Sequence, residues 1–177
     1  LGEITFTELP PLPNLREAFL EALENPIGCP PLSAQVKPGS RVAILVGDRF
    51  TDQMLGVRDH LGTALLDHLN ALGVPDKNVW LVFALGLHPP GVMAANLEPE
   101  LGGRIQLVVH APDDPTKLTY RGMTSRGTPV WINSTVAEAD FVLGVGEISP
   151  QLMAGFCGGG KIILPGVSGR DTIEQNH

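Results

Sequence analysis

Residues 41–47 read Arg-Val-Ala-Ile-Leu-Val-Gly, an uninterrupted apolar run between a polar residue and a glycine. An amphipathic strand would alternate, whereas a continuous Val/Ile/Leu run marks a strand buried on both faces of a parallel sheet. Asn78–Gly86 (NVWLVFALG) repeats the pattern, Ile105–His110 gives a third strand, and Asp140–Val145 (DFVLGV) a fourth. Between the first two, Leu55–Leu72 turns to helical spacing, with Leu61, Leu65, Leu69 and Leu72 in register. Asn14–Glu24 places Leu15, Phe19, Leu20 and Leu23 on one helical face, with Asn14 as N-cap. Pro26–Leu32 (PIGCPPL) stops that helix. Val92–Leu101 is expected to be a short helix, Leu118–Tyr120 and Pro129–Ile132 short strands, and Ser134–Ala139 a helical turn capped by Ser134. Strands alternating with helices predict an α/β fold, a doubly wound and mainly parallel sheet flanked by helices.

The bulk properties narrow the function classes. The chain has 177 residues, 43% hydrophobic and 18% charged, which suits one globular domain over 1–177. Its 21 Gly and 16 Pro imply many tight turns. A net charge of −7 gives no electrostatic reason to expect a nucleic acid or an anionic membrane as partner. The longest apolar runs, Val42–Val46 and Val79–Leu85, are far short of the roughly 20 residues that span a bilayer. No signal-peptide pattern is present, and two cysteines, Cys29 and Cys157, are too few for a disulfide framework, so a cytoplasmic location is expected. The chain begins at Leu1 and stops at His177 in a region that reads as unfinished, which suggests a piece of a longer protein.

Ligands of open α/β sheets bind beyond the carboxyl ends of the strands. Here those ends carry Asp48-Arg49, Gly86-Leu87-His88 and the segment from Gly146 onward. Asp48 and Arg49 are either a cap with a solvated cation or ligand-facing groups. His88, held before Pro89-Pro90, is either a structural loop histidine or a general base or metal ligand. His110 repeats that placement at the third strand, while His60 and His68 fall on the helix as solvated residues. Gly155–Lys161 (GFCGGGK) resembles the start of a phosphate-binding P-loop, but Ile162 stands where a magnesium-holding Ser or Thr is required, so nucleotide hydrolysis is excluded. Gly155, Gly158, Gly159 and Gly160 still allow backbone N–H groups to approach an anion beside Lys161. Cys157 has no nameable base and reads as a small buried residue.

Ile148–His177 (ISPQLMAGFCGGGKIILPGVSGRDTIEQNH) resembles the pattern PHxxAGFSGGxKxxLPGxxxxxTIxxNH of the nickel-pincer lactate racemase family. NPIGCPPL (Asn25–Leu32), VGDRFTD (Val46–Asp52), ALGLHPP (Ala84–Pro90) and RGTPVWIN (Arg126–Asn133) resemble further family segments in the same order. The resemblance implies a racemase or epimerase of 2-hydroxy acids using a nickel-pincer nucleotide attached to Lys161. It implies nickel coordination by His177 and places Asp48, Gly158, Gly159 and Gly160 at the cofactor. His88 takes the place of one catalytic base. The partners implied are a small hydroxy acid and the protein's own C-terminal domain, absent from this chain. Two positions depart from the pattern. Gln151 replaces the second catalytic histidine and cannot act as a base. Thr51 replaces the arginine that binds the substrate carboxylate, a place Arg49 could fill only from two residues earlier. These departures argue against lactate as substrate, and leave a non-catalytic cofactor-binding domain as the alternative.

Overall fold

The computed structural model describes residues 10–47, 61–89, 103–146, 148–152 and 154–176. Helix α1 (Leu15–Glu24) starts where Asn14 accepts from the Glu17 N–H and stops at Asn25, ahead of Pro26. A short helix α2 (Leu32–Gln35) follows, which periodicity did not reveal because one turn has no period to read. Strand β1 (Val42–Val46) is fully buried. Helix α3 (Leu61–Ala71), strand β2 (Val79–Phe83) and strand β3 (Gln106–Val109) come next. An antiparallel hairpin follows, β4 (Leu118–Met123) and β5 (Pro129–Asn133), then helix α4 (Ser134–Glu138) and strand β6 (Phe141–Val145). The expected helix at Val92–Leu101 lies outside the described residues.

The central sheet has four strands in the order β3-β2-β1-β6, every pair parallel, with Val42 beside both Val79 and Phe141. This is the expected parallel α/β sheet flanked by helices. Alternate residues of β1 serve opposite faces. Val42, Ile44 and Val46 pack with Leu65, Leu66 and Leu69 of α3 and with Phe19 and Leu23 of α1. Ala43 and Leu45 meet Val136 of α4, Ile132 of β5, and Ile162, Ile163 and Val167.

Two readings are corrected, and one element is added. The cap of α4 is Asn133 rather than Ser134: the Asn133 side chain accepts from the N–H groups of Thr135 and Val136, while the Ser134 hydroxyl accepts from Thr119. His68 is half-buried, with Nε2 2.7 Å from the Glu24 carboxylate, and joins α3 to α1 instead of facing solvent. The segment after β6 contains a small antiparallel hairpin, β7 (Ser149–Gln151) with β8 (Gly155–Cys157), too short for an alternation signal. The chain then makes a 3-10 turn over Gly159–Ile162 and ends in helix α5 (Arg170–Asn176). Among the described residues no helix is long and apolar enough to cross a membrane.

Candidate functional site

The carboxyl edge of the sheet opens into a cleft of about 910 Å³, within the roughly 300–1,000 Å³ usual for small-molecule sites. The strand ends leave glycine at its floor: Gly47 after β1 and Gly146 after β6, where an added Cβ would meet nothing within 4 Å. A side chain at either position would project into open space, so these glycines leave the cleft wide at the strand ends. Gly159, also on the cleft wall, has the same clearance and a φ of +55°, a left-handed conformation that L side chains resist.

One wall is the segment after β2. Gly86 donates its N–H to the Gly166 carbonyl at 2.9 Å, and the His88 N–H closes a turn on the Leu85 carbonyl at 3.0 Å. His88 is exposed at the rim. The opposing turn is compact: a Cβ on Gly166 would collide with the Ile162 carbonyl oxygen, and the Leu164–Pro165 peptide bond within it is cis. The third wall is the β7–β8 hairpin. There Gln151 pairs with Gly155 and its Oε1 accepts from the Ala154 N–H at 2.5 Å, so the amide is built into the turn. Beyond β8, Gly158 and the 3-10 turn fold Lys161 back until its Nζ lies 3.8 Å from Cys157 Sγ.

Of the residues singled out from sequence, His88, Gln151, Gly158, Gly159 and Lys161 all line this cleft. Gly160 stands in the same 3-10 turn but is not on the cleft wall. Asp48, Arg49, Thr51 and His177 lie outside the described residues; His177 follows α5, whose Ile173 lines the cleft. Cys157 is half-buried on the wall rather than enclosed. His110 does not reach the site. It is 3% exposed, its Nε2–H donates to the Ser168 carbonyl at 2.9 Å, and Asn133 Nδ2 lies 3.4 Å from Nδ1. Burial holds its pKa below the usual histidine value, the Ser168 contact opposing. It pins the Pro165–Ser168 turn, and with it one wall of the cleft. Sequence reading pointed to the segment from Gly146 onward but missed Gly47, although its position directly after a buried strand was the available signal.

Lys161 carries the sole formal charge among the described lining side chains, in a chain of net charge −7. Among the described residues, that cation, the lining glycines and the volume suit an anionic group of nucleotide size. Among the described residues no three His, Cys, Asp or Glu side chains converge into a metal site. A metal held here would therefore draw on a bound group's own donors and on residues beyond those described.

The whole chain, residues 1–177, matches the family model of the lactate racemase N-terminal domain. Two curated relatives are both named lactate racemase. The one from Lactiplantibacillus plantarum is 27% identical over 165 residues, 92% of this chain and 38% of its own length. The one from Thermoanaerobacterium thermosaccharolyticum is 31% identical over 159 residues, 88% of this chain and 36% of its own. The chain thus spans under two fifths of these relatives. The structure of the lactate racemase apoprotein from T. thermosaccharolyticum superposes with a TM-score of 0.76 at 28% identity, covering 90% of this chain and 38% of that one. A Thermotoga maritima protein shares the fold at 19% identity and a TM-score of 0.70, over 95% of this chain and 42% of that one. By sequence and fold together, the chain belongs to the lactate racemase N-terminal domain family.

Proposed function

We propose that this domain carries a nickel-pincer nucleotide on Lys161 and is the cofactor-bearing part of an isomerase that racemises or epimerises a 2-hydroxy acid other than lactate. The observation that carries the reading is the meeting of His88, Gln151, Gly158, Gly159 and Lys161 on one glycine-floored cleft. Lys161 offers the primary amine for attachment, Gly158 to Gly160 and Asp48 receive the nucleotide, and His177 completes nickel coordination. When bound, the group supplies a hydride acceptor. His88 takes the substrate hydroxyl proton at an imidazole nitrogen and returns it. Thr51 stands at the substrate-binding position in place of an arginine, and the carboxylate is left to Arg49 two residues earlier. Gln151 has no proton to exchange near neutral pH, so it can only hydrogen-bond the substrate. A general base contributes typically about 10²–10⁴-fold to rate, and its loss on one face is the reason for placing lactate outside the substrate range.

Intact-mass spectrometry of protein produced together with the cofactor-synthesis enzymes tests the attachment. An adduct is expected on the native chain and none on Lys161→Ala. An adduct of unchanged mass and yield on the variant would overturn the assignment. The bond from the Ala154 N–H to Gln151 Oε1, which leaves the amide oxygen engaged in the turn, favours a second reading, a domain that retains the nucleotide without turnover. Adduct formation with no exchange of any 2-hydroxy acid's configuration by the full-length protein would select it.

A further inference from the structure

Lys161 and Cys157 form a pair that attachment of a cofactor to the lysine alone does not require. Cys157 ends β8, the glycines that follow reverse the chain, and the Lys161 N–H bonds back to the Gly158 carbonyl at 3.3 Å. The reversal sets Nζ 3.8 Å from Sγ, with both side chains half-buried and open to small molecules through the cleft. The other cysteine offers a contrast within the same chain. Cys29 is exposed, and the nitrogen placed near it, 4.0 Å away, is the amide of Gln35, which is not a nucleophile.

We propose that Cys157 and Lys161 are an oxidative modification site, closing a covalent sulfur–nitrogen cross-link when hydrogen peroxide enters the cleft. The Cys157 sulfur attacks one peroxide oxygen; the O–O bond breaks, the thiol proton passes to the departing oxygen, and a sulfenic acid and water form. The Lys161 amine then attacks that sulfur. An S–N bond forms, the S–O bond breaks, and a second water leaves with a proton from nitrogen. The sulfur is oxidised by two electrons, the peroxide is reduced, and the protein loses two hydrogens. Sulfenic acids condense in this way with nearby nitrogens, and the flexible lysine stem supplies the remaining approach. A thiol reductant attacks the sulfur and releases the amine. The cross-link needs the Nζ–Sγ approach and a free Lys161 amine, so it forms only while nothing is attached to the lysine. Its consequence is that an oxidised cleft presents no amine.

Trypsin reads the state of Lys161 directly, because it cleaves after a free lysine. Cofactor-free protein is treated with hydrogen peroxide, alkylated with iodoacetamide and digested without reductant. The expected product is a peptide uncut between Lys161 and Ile162, two hydrogens lighter than its reduced form and unalkylated at Cys157. Dithiothreitol should restore cleavage. Cys29→Ser should behave like the native chain, and Cys157→Ser should be cut fully after Lys161 with or without peroxide. Cys157 recovered as sulfinic or sulfonic acid, with Lys161–Ile162 cut as completely as before treatment, would overturn the proposal. Failure of the cofactor adduct on Lys161 would leave this cross-link standing, so the two assignments fall separately.

Discussion

On one face of the central sheet, α1 and α3 press Phe19, Leu23, Leu65, Leu66 and Leu69 against Val42, Ile44 and Phe83. On the other, Ala43, Leu45 and Val82 meet Ile132, Val136, Ile162 and Val167, which come from a hairpin, one short helix and turns. The helical face is joined by apolar area, which has no direction. The turn-built face adds directional bonds, for the buried polar side chains among the described residues, His110, Asn133, Ser168 and Thr172, all serve it. Asn133 caps α4, Ser168 Oγ donates to the Ile163 carbonyl, and the Trp131 N–H donates to Thr172 Oγ1. The cleft draws Lys161, Ile162 and Pro165 from this second face. Apolar burial sets how stable the domain is; the polar bonds set where the site residues stand.

The division can be broken most directly by Phe83→Ala. Phe83 is 1% exposed at the end of β2 and is packed into the helical face. Removing its ring should cost about 3–5 kcal/mol, read as a lower urea midpoint with an unchanged slope. A loss smaller than that of any turn-face variant would mean that the helical face is not the main source of stability.

His110→Ala should act more locally. It leaves the Ser168 carbonyl unpaired in a buried place, at a cost of about 1–3 kcal/mol. Amide exchange should quicken at Val167, Ser168 and Gly169 while Leu65 to Leu69 keep their protection. Equal loss on both faces would make them one cooperative unit. Acid should reproduce the effect. Because burial depresses the folded-state pKa of His110, the unfolded chain takes up its proton first. The stability from this residue is complete above about pH 6.5 and is lost as pH falls from there towards the depressed value. The urea midpoint of the native chain should fall between pH 7.5 and 5.5 by more than that of His110→Ala.

The same contrast explains what sequence reading could reach. The four sheet strands, of which β1 and β2 are buried, and the two long helices announced themselves because apolar runs and 3.6-residue spacing survive without knowledge of tertiary partners. Their carboxyl ends located the cleft, and the glycine run located Lys161. The polar network of the turn-built face was not legible. His110 beside Ser168 is a contact across 58 residues, and nothing in the segment Ala111–Pro112 distinguishes an inward imidazole from one facing the cleft. The cap at Asn133 was misplaced by one residue because Asn and Ser are both good caps and stand side by side. Gln151 was read only as a lost base, whereas its carbonyl oxygen also closes the β7–β8 turn.

The smallest effect concerns the polar contact that does occur on the helical face. Helix α1 has no buried residue, so its seat on α3 rests on half-buried Phe19 and Leu23 and on Glu24. The Glu24 carboxylate accepts from the Ser33 hydroxyl at 2.5 Å, from the Ser33 N–H at 3.3 Å, and lies 2.7 Å from His68 Nε2. The Ser33 hydroxyl foremost, and His68 after it, hold the Glu24 pKa below the usual carboxylate value. The stability it contributes is therefore present above about pH 4.3 and is lost as pH falls through the depressed value. At pH 7, Glu24→Gln keeps the shape and one acceptor but removes the charge that strengthens these hydrogen bonds, and should cost about 0.5–1.5 kcal/mol. If α1 amides alone exchange faster in the variant, Glu24 is a local clasp between α1 and α3. If the urea midpoint instead falls as far as it does for His110→Ala, a directional polar bond is stabilising the helical face as much as the turn-built one, and the contrast between the faces fails at this point.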